Sequence, residues 1–171
     1  MVAAWPEPVG RVSSFLREAG AEARIEEFPE GTPTAADAAA AVGCGLDQIV
    51  KSLVLLCDER PLVALVPGDR RGDLAKVARV AGADRARVAT AAEVTEITGF
   101  EPGAVAPFPL ASVDVVLIDR SLLRHRLVWV GGGSPMHMVG LAPGELARLA
   151  KARPVDAVAD STYDSTDTKE R

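Results

Sequence analysis

Gln48-Ile49-Val50-Lys51-Ser52-Leu53-Val54-Leu55-Leu56 is an apolar, β-branched run broken by one lysine, and it reads as a buried strand. Side chains alternate along a strand, so Lys51 shares a face with Ile49, Leu53 and Leu55. The other face carries Val50, Ser52, Val54 and Leu56, so neither face has the composition of a solvent face. A lysine in such a strand is costly unless its ammonium meets an anion, carbonyl groups or a wet cavity. The plainer alternative is an apolar stem packed along the core with its head in water at a strand end.

Working outward from this strand, Pro61 to Pro67 is a second apolar run, set off by Asp58-Glu59-Arg60. The pair predicts a hairpin with a short loop. Upstream, Val9 to Ala19 has a helical stripe of Val12, Phe15, Leu16 and Ala19, stopped by Gly20. Ala23 to Phe28 predicts a strand. Thr34 is placed to cap an alanine-rich helix through Val42. Downstream, Gly68 to Gly72 predicts a turn, and Asp73 caps a helix to about Ala81. Ala86 to Ala89 is a short strand, and Thr90 caps a helix from Ala91 to Ile97. Val113 to Ile118, Leu127 to Val130 and Met136 to Leu141 predict three further strands. A last helix runs to about Ala150, with Pro143 in its first turn.

Several of these strands are joined by links too short for a parallel crossover. The expected class is therefore α+β: a mixed, mainly antiparallel sheet or a partly closed barrel, surrounded by helices. At 171 residues the chain supports one domain, assigned to 1–159, with a polar, acidic tail at 160–171 that is expected to be disordered.

The net charge of −5 argues against a non-specific nucleic-acid binder, and no DNA partner is expected. No apolar run approaches the roughly 20 residues that span a bilayer, and no signal peptide is read, so a cytoplasmic protein without a membrane partner is expected. Cys44 and Cys57 lack metal-ligand or redox spacing, and with His125 and His137 they form no ligand set. Neither a metal nor an organic cofactor is expected. Gly45 to Ser52 resembles a phosphate-binding Walker loop only superficially. The glycine before the lysine is replaced by Val50, and a strand, not a helix, follows.

The second chemically suggestive stretch is Gly99-Phe100-Glu101-Pro102-Gly103-Ala104-Val105-Ala106-Pro107-Phe108-Pro109. Gly103 to Pro107 has the form Gly-x-x-x-Pro. Glycine allows close backbone approach, and proline stiffens the loop and removes a donor. Such a loop can aim backbone N–H groups at a carbonyl or a developing oxyanion.

Taken in order, these motifs resemble the YbaK/ProX family, trans-editing relatives of the insertion domain of bacterial prolyl-tRNA synthetase. The resemblance rests on the Thr34-initiated helix, Ile49 to Val54, Val66 to Arg71, Thr98 to Phe108, the strand ending in Asp119, and Leu141 to Leu146. It implies a deacylase that hydrolyses the ester of mischarged tRNA, commonly a proline tRNA, with the ribose hydroxyl of the terminal adenosine assisting. It further implies that Lys51 is the functional lysine, and that Gly103 and Pro107 bound the carbonyl-binding loop. The expected partners are the acceptor end of a mischarged tRNA and a prolyl-tRNA synthetase.

Substrate contacts are expected from Thr34, Ser52, Ala104, Val105, Ala106, Ser134 and His137, and acceptor-stem contacts from Arg70, Arg71 and Arg79. Two departures from the family pattern stand out. Ala106-Pro107-Phe108-Pro109 lacks the serine and glycine of many relatives, and Met136-His137-Met138 lies where some carry a carboxylate. A non-catalytic tRNA- or nucleotide-binding module associated with a synthetase, or a small-molecule hydrolase on the same scaffold, remain the competing readings.

Overall fold

The computed structural model describes residues 4–162, with side chains to residue 160. Its elements in chain order are α1 (Glu7–Glu18), β1 (Ala23–Glu27), α2 (Ala35–Val42), β2 (Val50–Cys57), β3 (Arg60–Pro67) and β4 (Arg70–Gly72). They continue as α3 (Leu74–Ala81), β5 (Ala86–Val88), α4 (Ala91–Thr98), β6 (Val115–Asp119), β7 (Val128–Ser134) and β8 (His137–Leu141). The last are α5 (Pro143–Ala150), β9 (Ala152–Val155) and β10 (Val158–Thr162).

The β2–β3 hairpin organises the larger sheet. It turns on Asp58 and Glu59, both at positive φ (48° and 64°), so Arg60 already belongs to β3. Two left-handed residues match the twist of the flanking strands. Asp58 offsets its strain by accepting the N–H groups of Asp84 and Arg85, each at 3.0 Å, and these bonds hold its carboxyl below the ordinary range. The sheet order is β5-β2-β3-β6-β9, with β2 antiparallel to both neighbours and β6 parallel to β3 and β9. A second sheet, β1-β8-β7, is wholly antiparallel, and β4 pairs with β10. The sheets stay open, so the architecture is mixed α+β rather than a barrel.

Both faces of β2 are buried, as its composition requires. Val50, Val54 and Leu56 join the main core with Phe100, Phe108 and Val130, while Leu55 and Cys57 pack with Val66, Val77 and Leu117. Each fully buried aliphatic side chain contributes roughly 1.5–3 kcal/mol. The helices begin where the capping residues predict: Thr34, Asp73 and Thr90 each accept the N–H three residues on. They stop at Gly43, Gly82 and Gly99, all left-handed.

Four elements differ from expectation, and one of them, β9, was not expected at all. The turn expected over Gly68 to Gly72 contains strand β4. The strand expected to end at Val130 runs on through the glycines to Ser134. The chain also remains structured beyond Ala159: β10 continues to Thr162, so the proposed tail begins inside a strand, and the rest of it lies outside the described residues. β4 and β10 exist because each pairs with a strand distant in sequence, while β7 is prolonged by its hairpin partner β8 across glycines that carry no strand signal.

The capping box of α4 gives a pH-dependent contribution to stability. The Arg87 guanidinium, and then the Thr90 N–H, pull the Glu93 carboxyl from its ordinary 4.5 down to about 2. A depressed folded-state value stabilises above the unfolded value and is lost as pH falls through the folded one. Glu93→Gln should therefore melt below wild type at neutral pH, with the gap closing between about 4.5 and 2. Thermal melts across that window check this, and a gap independent of pH would count against the assignment.

Candidate functional site

A pocket opens where the start of β2 meets the start of α2, the Gly103 loop and the β7–β8 hairpin. Its walls include Thr34, Lys51, Ser52, Gly103, Val105, Ser134 and His137. The entry to β2 is fixed by a short 3₁₀ turn, Leu46–Gln48. The Gln48 side chain accepts the Gly45 N–H at 3.2 Å and donates to the Leu127 carbonyl at 3.1 Å. Gly68 closes the other side: its N–H donates to the Ile49 carbonyl at 2.7 Å, and a Cβ there would lie 2.7 Å from the Leu46 carbonyl oxygen. This clamp sets the position of the lysine two residues along.

Lys51 is half-buried, and its Nζ donates to the Arg70 carbonyl at 2.8 Å. The sequence paradox is thus resolved by a backbone carbonyl and a cavity. The neighbouring Ser52 Oγ is buried on the pocket wall with no hydrogen-bond partner. Buried polar groups are normally paired, so this hydroxyl is one to test for a contact in the pocket.

The Gly-x-x-x-Pro loop is anchored at both ends by aromatic rings. Phe100 is buried under the Arg11 guanidinium, 4.8 Å from the ring centroid, and Phe108 stacks on Phe15 at 5.2 Å. Gly103 turns the chain at φ 83°, and the Ala104 N–H is spent on the Glu101 carbonyl at 3.0 Å. Among the described residues, the N–H groups of Val105 and Ala106 donate to no acceptor, although both residues are buried. Pro107, which follows, has no N–H. The side chains of Ala104 and Ala106, with Pro107, sit behind the pocket wall rather than on it.

Across the pocket, the Ser134 Oγ accepts the Met136 N–H at 3.0 Å and lies 2.5 Å from His137 Nδ1. The Ser134 hydroxyl therefore ties the turn before β8 to the imidazole ring. His137 is 3% exposed and meets the edge of Trp5, with ring centroids 5.4 Å apart. It is a buried histidine on the pocket wall, paired through Nδ1 with Ser134. Thr34 also lines the pocket, but its hydroxyl caps α2, accepting the Asp37 N–H at 2.9 Å and donating to the Asp37 carboxylate at 2.8 Å.

The three expected stem-contact arginines part company. Arg71 and Arg79 are exposed. Arg70 is half-buried, its guanidinium turned onto the Ala159 carbonyl. The expectation treated Arg70 as a surface cation; β10, which covers β4, turns it inward. Sequence reasoning also missed the apolar walls Ala38, Ile49, Leu53 and Met138, which carry no chemical signal. It missed Gly131 too, whose missing side chain admits the Val105 carbonyl.

Neither cysteine is a nucleophile candidate. Burial pushes both thiols up, and Asp47 and Asp58 add to it for Cys44 and Cys57 respectively. Among the described residues no group of three or more His, Cys, Asp or Glu side chains is arranged to hold a metal ion, and no helix is long and apolar enough to cross a membrane.

The fold and site together define an α+β domain with a pocket between a strand lysine and a glycine- and proline-rich loop. The aminoacyl-tRNA editing domain matches residues 29–149, and the chain belongs to that family. It is 34% identical over 127 residues to the uncharacterised protein YwhH of Bacillus subtilis, covering 74% of this chain and 80% of that one. It is 32% identical over 155 residues to a proline–tRNA ligase of Stenotrophomonas maltophilia, covering 84% of this chain but only 27% of the ligase. A crystal structure described as that of a proposed trans-editing enzyme for prolyl-tRNA synthetase superposes with a TM-score of 0.85 at 36% identity, covering 91% of this chain and 99% of that one.

Proposed function

We propose that this protein is a trans-editing deacylase that hydrolyses the ester of a mischarged tRNA, with a proline tRNA as the acceptor. The observation that carries the reading is the meeting, in one pocket, of Lys51 with Gly103 and Val105 of a loop whose Val105 and Ala106 N–H groups have no acceptor among the described residues. Unspent N–H donors on a loop bordering the pocket suit a developing oxyanion. Water adds to the ester carbonyl carbon, the carbonyl oxygen takes up charge against the loop amides, and the bond to the ribose oxygen breaks. The leaving oxygen receives the proton, relayed by the neighbouring ribose hydroxyl. Lys51 lies on the nucleotide side, where an ammonium complements phosphate or ribose oxygens. The ester is already activated, so no protein nucleophile is required.

The decisive experiment incubates the protein with a panel of mischarged tRNAs and measures release of the amino acid. Accelerated release from at least one supports the reading. Binding without turnover across the panel would transfer support to a non-catalytic tRNA module. Activity should be unchanged by EDTA, and loss on chelation with recovery on adding zinc would show a metal dependence that the side chains give no reason to expect. Arg71→Ala/Arg79→Ala should raise KM about threefold or more at nearly constant kcat, because surface cations bind ground and transition states alike. A fall in kcat at constant KM would place the RNA surface elsewhere.

A further inference from the structure

We propose that β10 is a strap that positions Lys51, with Arg70 and Lys76 as its tie points. The proposal rests on the deacylase reading for its functional consequence, though not for its geometry. The strap lies beyond residue 149, where the match to the family ends. Strand β4 is three residues long, and its strand partner is β10, with Val158 opposite Gly72 and Thr162 opposite Arg70. An isolated pair of short strands is marginal in water, so what holds β10 also holds β4.

The strap is tied and packed over its first half and the residues that lead into it. The Ala157 N–H donates to Asp119 Oδ1 at 2.8 Å, and the Ala157 carbonyl accepts the Asp73 N–H at 2.8 Å. Val155, Ala157 and Val158 are buried against the cluster of Leu55, Val66 and Val77. Lys76, reaching across from α3, donates to the Val158 carbonyl at 2.8 Å and to the Asp156 and Asp160 carboxylates at 3.0 and 2.9 Å. The Arg70 guanidinium grips the Ala159 carbonyl. Arg70 is therefore held by the strap through its side chain and holds the Lys51 amine through its main-chain carbonyl. Both ties pass through one residue, so movement of the strap moves an acceptor of the amine. Asp119, buried and bonded also to the Ser121 N–H and hydroxyl, is spent on this architecture and is not available to the pocket.

The test uses full-length Arg70→Ala, Lys76→Ala and Lys76→Arg, with two readouts. The first is the rate at which an amine-acylating reagent modifies Lys51, read by peptide mass spectrometry against exposed Lys151 as internal standard. The second is steady-state deacylation of the mischarged tRNA that wild type turns over. Both alanine variants should raise Lys51 acylation roughly threefold or more, because the local structure opens more often. They should lower kcat about tenfold with KM held within about twofold, because the amine is displaced rather than removed. Lys76→Arg should restore both. Lys76 lies at the surface of α3, so its variants report even where Arg70→Ala folds poorly. Unchanged Lys51 acylation in Lys76→Ala overturns the strap, and raised acylation with unchanged kcat overturns its positioning role. A wild type inactive on every mischarged tRNA would remove the deacylase reading, while the acylation readout would still decide the strap.

Discussion

Lys51→Ala and Lys51→Met are expected to lower kcat/KM for the mischarged tRNA by about 10²–10³-fold, with the fold intact. The methionine variant is the sharper probe. It keeps an apolar stem of similar length against the pocket wall and removes only the charge. Loss of the charged bond to the Arg70 carbonyl should cost about 1.5–3 kcal/mol, less whatever desolvation of the ammonium is relieved. For a chain of this size that is at most roughly 3–12 °C in Tm, within the stability of an ordinary domain. Lys51→Arg should not rescue activity, because a planar fork cannot occupy the place of a compact ammonium beside one carbonyl. Single-turnover kinetics and thermal melts on the three variants check this. Turnover within threefold of wild type in Lys51→Met would remove the lysine from the mechanism.

The two features that pointed to the site were legible because each contradicts its surroundings. A lysine in a strand apolar on both faces has to be accommodated by something, and the structure supplies the Arg70 carbonyl and a pocket. A loop rich in glycine and proline between Phe100 and Phe108 reads as a rigid segment, and both rings are anchors. The helices were equally legible, since Thr34, Asp73 and Thr90 with Gly43, Gly82 and Gly99 are local signals with local causes. What could not be read were strands made by distant partners. Pro154 discourages a strand reading of β9, yet at the edge of the sheet its missing N–H costs nothing. Asp160-Ser161-Thr162 has the composition of a tail, but β4 supplies it with a ladder. The inward turn of Arg70 was illegible for the same reason, because the carbonyl it meets is 89 residues away.

Gly131→Ala should be the most damaging single methyl group that can be added near the pocket. A Cβ at this position would lie 2.5 Å from the Val105 carbonyl oxygen and 3.1 Å from its carbon, and backbone cannot swing aside as a side chain can. One of two things must give. Either β7 moves away from the loop, against its pairing with β8, or the loop moves away from β7, against Phe100 and Phe108. The loop is the weaker party, because between its two anchors no ladder holds it. Its displacement would carry the Val105 and Ala106 amides off target, and a shift of about 1 Å at a reacting centre can cost roughly 10²-fold. The expected result is a fall in kcat of that order, with a stability loss of about 1–3 kcal/mol from overpacking. Gly10→Ala provides the contrast. It has nothing within 4 Å of its added methyl and should leave both quantities near wild type. Equal and small effects at the two glycines would show that the loop does not need its seat on β7, and the oxyanion role of the Val105 and Ala106 amides would fall with it.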